Sequence, residues 1–371
     1  MKPIYLDYAA TTPVDKSALS AARPYMNSVF FNPSSMHSLG RKAYAAVEKA
    51  RQKVARAINA APENIIFTSC GTEAIQQAML CFPYGEKKKV IVSAIEHDSV
   101  TSCANAIIKR GMTVEKVMPT PGGIITAEAL KRVIDQNTAL VCVMTVNNQT
   151  GAVQPIKELA EISHSYGAAF FTDAVQAVCT QNLDVTQTNV DMLAASAHKF
   201  YSLKGCGFLY RKNAVKLDPL MLGGRQEYGL RAGTENVPSI VAMGEAIERA
   251  VQFRREYIEH VSAVEKAFFG ALTVGEKVFV ENGTDGISSV VFDGVNGGRL
   301  AIALSMSGVC CSVGSACSSG SATPPPTLVA MGVKSPECAV RFSFGKSTTT
   351  DEAVRAAHIV NLTVDKLKKN G

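Results

Sequence analysis

Six short β-rich runs, each separated from the next by a stretch of helical periodicity or a turn, limit this chain more than any other feature. They are IIFT (65–68), VIVSA (90–94), ALVCVMTV (139–146), AAFFTDA (168–174), MLAAS (192–196) and GFLY (207–210). An amphipathic segment such as Ile156 to Tyr166 places Ile156, Leu159, Ala160 and Ile162 on one face. Such alternation predicts an α/β fold with a mostly parallel central sheet. At 371 residues, 47% of them hydrophobic, the chain exceeds the usual single-domain size. After Pro238 the pattern changes to a long helical stretch (Ile240 to Phe269), a strand ISSVVF, a Gly/Ser-rich stretch and a final helix. We expect a boundary near Ala250, with a large domain over 13–250 and a smaller α+β domain made of 1–12 and 251–371. The segment SVGSACSSGSATPPP (312–326) has the composition of a flexible linker.

Other classes are disfavoured by composition. The apolar runs fall far short of the roughly 20 residues of a membrane span. The amino terminus, with Asp7 and no long apolar run, does not read as a secretion signal, so a cytoplasmic location is expected. Ten cysteines occur without a CxxC pair, which suits reduced thiols and indicates no metal. The net charge of +6 rests on short basic runs and argues for solvated surface rather than a nucleic-acid stripe.

In open sheets of this kind, ligands bind beyond the carboxyl ends of the strands, so polar residues that follow strand runs are the candidates. Gly71 and Thr72 follow IIFTSC at the start of a helical run, where backbone NH groups favour a phosphate or simply cap the helix. No GxGxxG is present, and GKS at Gly345 lacks a P-loop's upstream glycine. Asp173 ends AAFFTD, Gln176 lies three residues on, and Ser196, His198 and Lys199 end the next run. An acid and a lysine so placed suit a cofactor with a cationic ring nitrogen and an aldehyde, as in pyridoxal phosphate (PLP). His97 is positioned to stack on such a ring or to be structural, and Asn148 to reach its phenolic oxygen or to make a turn. Cys317 sits among small polar residues and is expected to be exposed and movable, which suits transfer chemistry. Cys310 and Cys311 fit a buried strand. Arg341 lies in an apolar strand, where it needs an anionic partner, either a substrate α-carboxylate or an internal Asp or Glu.

The ordered set YLDYAATTP, FNPSSMHSLG, FTSCGTEA, EHDSV, VNNQTGAVQPI, TDAVQA, SAHKFYSLKG, GLRAGTENV, GSACSSG and VRFSFG resembles the cysteine desulfurases, in the class V aminotransferase group of fold type I PLP enzymes. The resemblance runs from Ile4 to the final helix. It implies that Lys199 is the Schiff-base lysine, Asp173 the ring-nitrogen partner and His97 the stacking residue. Asn148 and Gln176 become cofactor contacts, and Thr72, Ser196 and His198 phosphate contacts beside Gly71. Thr234 matches a residue reaching across from a partner subunit, which implies a homodimer. Cys317 matches the persulfide-forming cysteine, in a long segment like that of the NifS and IscS desulfurases. Ile75, Gln76, Gln149 and the run Tyr201 to Lys204 depart from the family pattern.

The activity so implied is PLP-dependent removal of sulfur from L-cysteine, giving L-alanine and a persulfide on Cys317. Arg341 and Asn148 would hold the substrate, Lys199 would act as base and His97 as proton shuttle. The acceptor would be an iron-sulfur scaffold or a tRNA-thiolation protein, with no membrane or direct nucleic-acid partner. A selenocysteine lyase, another class V aminotransferase and a scaffold with impaired turnover are the rival readings.

Overall fold

The computed structural model describes residues 3–314 and 324–369. In chain order its strands are β1 (Ile4–Tyr5), β2 (Ile65–Thr68), β3 (Lys89–Ser93), β4 (Thr113–Val117), β5 (Thr138–Cys142) and β6 (Ala169–Asp173). They continue with β7 (Met192–Ser196), β8 (Gly207–Arg211), β9 (Glu276–Lys277), β10 (Ile287–Val291), β11 (Val309–Cys310) and β12 (Ala339–Ser343). Seven of them form one sheet in the order β2-β8-β7-β6-β5-β3-β4. The pairings from β7 through to β4 are parallel, and β8 runs antiparallel to both β7 and β2.

The apolar runs are continuous because both faces of this sheet are buried. Successive residues feed two different cores. Ile65, Phe67, Ile91, Val141, Phe170, Leu193 and Phe208 point into one. Ile66, Val90, Val92, Leu140, Phe171, Met192 and Leu209 point into the other. Every crossover between parallel strands brings the chain back to the same edge. The carboxyl ends of β2, β3, β5, β6 and β7 are thereby aligned.

A third core gathers around the three-stranded sheet β12-β10-β9, where Phe268, Phe292, Phe342 and Phe344 pack with the helix Thr350–Lys369. Ile4 and Leu6 from the start of the chain join it. β1 pairs in parallel with β11, Ile4 opposite Val309, and the Ala9 N–H donates to Ser343 Oγ at 2.9 Å.

Three expectations change in detail. The long helix of Ile240 to Phe269 is two helices, Val237–Gln252 and Arg254–Ala271, parted at Phe253 with φ −109° and ψ 24°. β5 stops at Cys142 although the apolar run continues to Val146; beyond it the Val143 and Thr145 N–H groups still donate to the Phe171 and Asp173 carbonyls at 3.1 and 2.9 Å, and the side chains stay buried. The Gly/Ser/Pro segment ends in a short helix, Pro326–Ala330, with proline in its first turn as helix starts favour. Among the described residues no helix is long and apolar enough to cross a membrane.

Candidate active site

Beyond the aligned strand ends lies a cavity of about 170 Å³, lined by Gly71, Thr72, His97, Asn148, Asp173, Gln176, Ser196, His198, Lys199 and Arg341. Residues separated by up to 270 positions in sequence thus face one space. Its anion-ready wall is the amino terminus of the helix Gly71–Leu80, whose first N–H groups have no intrahelical acceptor. Gly71 is needed there for closeness: a Cβ would come within 2.8 Å of Val175 Cγ2 and 3.3 Å of Ser196 Cβ.

Asp173 forms the buried floor, 4% exposed, with Oδ1 accepting from the Val175 N–H at 2.9 Å. Burial pushes its carboxyl above the usual range, against the influence of His97, the Val175 N–H and Lys199. A buried carboxylate of this kind needs a cationic or proton-bearing partner. His97 caps the helix Asp98–Lys109, and its Nδ1 accepts from the Ser99 N–H at 3.1 Å. That bond reserves Nδ1 as acceptor and leaves the other ring nitrogen to carry the proton. His198 reaches Thr11 Oγ1 through Nδ1 at 3.1 Å; burial first, then the charges of Lys199 and Lys204, lower it to about 4, so it is neutral at physiological pH.

Lys199 is set at the cavity by the one-turn helix Ala197–Lys199 that follows β7. Its Nζ donates to the carbonyl oxygens of Ala9 and, at 2.8 Å, Ala10. Gln176 Nε2 also donates to Ala9 at 2.8 Å. The turn after Lys199 holds Tyr201 at φ +66°, unusual for a side chain of that size. Its N–H donates to Thr12 Oγ1 at 2.9 Å and its hydroxyl accepts from the Lys346 N–H at 2.9 Å. This turn, lacking the glycine and proline of the family pattern, is fixed by tertiary contacts instead.

Arg341 projects from β12, 1% exposed. Nη1 donates to the Asn148 carbonyl and Nη2 to Asp7 Oδ1, both at 2.9 Å, while Nε is buried without a partner. An internal acid therefore does accompany Arg341, and one guanidinium donor still has no acceptor. Thr234 is exposed in the loop before the helix Val237–Gln252, away from this chain's own cavity. Cys317 lies outside the described residues. Cys310 and Cys311 are half-buried rather than buried.

Sequence reasoning did not single out Ala9, Ala10, Met144 or Asp7 as site residues. The first three act through backbone or apolar surface, which no side-chain chemistry announces. Asp7 was visible only as an acid near the amino terminus.

The family model for aminotransferase class V matches residues 4–355, and the chain belongs to that family. Within it, the chain is 37% identical to the cysteine desulfurase NifS of Azotobacter vinelandii, over 99% of this chain and 94% of the relative. It is 36% identical to the cysteine desulfurase IscS of Dictyoglomus turgidum, over 99% and 96%. Among solved structures, a NifS-like protein superposes with a TM-score of 0.92 at 30% identity, covering 98% of this chain and 100% of the other. SspA, solved in complex with cysteine, superposes with a TM-score of 0.81 at 32% identity, covering 93% and 99%.

The donor set fits pyridoxal phosphate. A primary amine, a buried carboxylate, a flat imidazole and an anion-ready helix terminus surround one cavity, in the combination that an aldehyde, a ring nitrogen, a ring face and a phosphate require.

Proposed function

We propose that the protein is a cysteine desulfurase that takes sulfur from L-cysteine, releases L-alanine and carries the sulfur as a persulfide on Cys317. The observation that supports this most is the convergence of Lys199, Asp173, His97 and Arg341 on one cavity. PLP bound there would supply an electron sink, stabilising negative charge at the substrate α-carbon and loosening the bond from β-carbon to sulfur.

The chain's own residues do the rest. Gly71, Thr72, Ser196 and His198 hold the phosphate, with Thr234 of a second copy completing that contact in a homodimer. Asp173 keeps the ring nitrogen protonated, His97 covers the ring, and Asn148 and Gln176 fix its orientation. Arg341, which lines the cavity, binds the substrate carboxylate beside Asn148. Lys199 moves the α-proton, and the Ala9 and Ala10 carbonyls receive its amine whenever it is released. Cys317 as thiolate attacks the substrate sulfur; the carbon–sulfur bond breaks, its electrons pass to the carbon side, and His97 relays a proton. The persulfide then passes to an acceptor protein, such as an iron-sulfur scaffold or a tRNA-thiolation protein.

The division into 13–250 and 1–12 with 251–371 belongs to the same proposal, supported by the separate core around Phe268 and Phe342 that Ile4 and Leu6 join.

The test is alanine and sulfide formation from L-cysteine by the PLP-loaded protein with a reductant present. The Cys317→Ala variant is expected to keep the bound cofactor's absorbance and lose sulfide release. Normal turnover in that variant removes Cys317 from the mechanism, and no alanine from either protein overturns the desulfurase reading.

A further inference from the structure

Directly before His97 stands a carboxyl group that the mechanism does not use. Glu96 is half-buried as a residue, but its two oxygens are treated very differently. Oε1 accepts from both Ser93 Oγ at 2.5 Å and the Met144 N–H at 2.7 Å. Oε2 is sealed from solvent and has no hydrogen-bond partner. A carboxylate shares its charge over both oxygens, and leaving one of them dry and unpaired is costly. The negative charge of Asp173 on β6 adds to that cost. A carboxylic acid resolves the asymmetry: its carbonyl oxygen takes both donors and the other oxygen carries the proton.

We propose that Glu96 is a neutral carboxylic acid, protonated on Oε2. It acts as a positioning residue that ties the end of β3 to the segment after β5, and it keeps a second negative charge away from Asp173. Protonation follows from the packing alone; the consequence for cofactor chemistry rests on the function proposed above. Through Met144, which lines the cavity, and through Asp173, Glu96 would set both the shape and the charge of the cofactor's floor.

The groups facing it agree with this state. Burial, followed by the Ser93 bond that opposes it and the Asp173 charge that adds to it, brings Glu96 up to about 8. The other titratable group against it, the Cys142 thiol on β5, is pushed well up by burial and stays neutral. Asp173 is itself raised by burial, an effect that His97 and Lys199 oppose.

The sign of the pH dependence follows. An unfolded glutamate loses its proton near pH 4.3, whereas folded Glu96 keeps it to about 8, so folding stability falls as pH rises through that window. The Glu96→Gln variant imitates the protonated acid and cannot titrate. Its melting temperature relative to the PLP-loaded parent is expected to rise by roughly 5 °C between pH 5 and 8 and to level off above. A difference that is flat, or that shrinks with pH, overturns the proposal. Infrared difference spectra of parent minus variant give a second test. A protonated-carboxyl C=O stretch is expected at pH 6 and its loss by pH 9; no such band at pH 6 overturns the proposal even if the variant folds poorly. Neither readout needs turnover, so failure of the desulfurase reading would leave both interpretable. If that reading holds, the bound cofactor's absorbance should show a titration step near pH 8 in the parent that is missing in Glu96→Gln.

Discussion

Two buried arginines, Arg51 at 3% exposure and Arg341 at 1%, are handled in opposite ways. Arg51 is saturated. Its Nε pairs with Glu48 at 3.0 Å, and Nη1 and Nη2 grip Glu227 at 2.7 and 2.8 Å. Nη1 also reaches the Ile65 carbonyl at 2.8 Å, and the guanidinium lies 4.6 Å from the Phe67 ring centroid. Glu227 in turn accepts from the Phe67 N–H at 2.7 Å. Arg341 has one carboxylate contact, one carbonyl contact and an Nε with nothing to bond. A guanidinium offers five donors, and under the proposed function a substrate carboxylate would add to the short set on Arg341. The two arginines are equally buried and differ in how many of their nitrogens are paired.

The contrast can be broken most forcefully at Glu227. Glu227→Ala removes the carboxylate that holds both Nη atoms of the buried Arg51 and leaves only Glu48 as its anionic partner, and should cost about 3–5 kcal/mol of stability. Urea unfolding will read this, while the KM of the molecules that remain folded should not change. Next in size is Arg341→Ala, for which we expect kcat/KM for L-cysteine to fall roughly 100-fold or more. The same variant should lose less stability than Glu227→Ala and should still bind PLP, as followed by absorbance. If instead Arg341→Ala unfolds the protein and leaves KM intact, the two arginines are alike and the distinction fails. The smallest effect sharpens the role of Asp7, which shares Arg341 with any incoming carboxylate. Asp7→Asn removes the competing charge, so KM should drop about 2–5-fold. A rise in KM would mean that Asp7 aims the guanidinium rather than competes for its ligand.

Sequence periodicity revealed six of the sheet's seven strands because those six are buried on both faces, so each apolar run is unbroken; the edge strand β4, exposed at Thr113 and Lys116, was missed. Lys199, Asp173 and His97 were legible for a related reason: each lies at or about three residues beyond the end of such a run. The break at Phe253 was not, since the stretch VQFRRE contains no glycine or proline and its apolar residues continue a plausible helical stripe. The Asp7–Arg341 contact spans 334 positions, and no local pattern reports it. Glu96 escaped notice because its state depends on which of its oxygens finds donors from Ser93 and Met144. Sequence supplies the residue types at strand ends, but not the saturation of their hydrogen bonds.

The seam between Ala9 and Ser343 also imposes an order on biogenesis. Ribosomes add about 5–20 residues per second, so the first strand waits roughly 15–70 s for the segment it must join. What waits is Arg341: a nascent polypeptide stalled short of β12 can already hold the Ala9–Asp15 segment through Gln176, His198 and Tyr201, but it lacks the guanidinium proposed to take the substrate carboxylate.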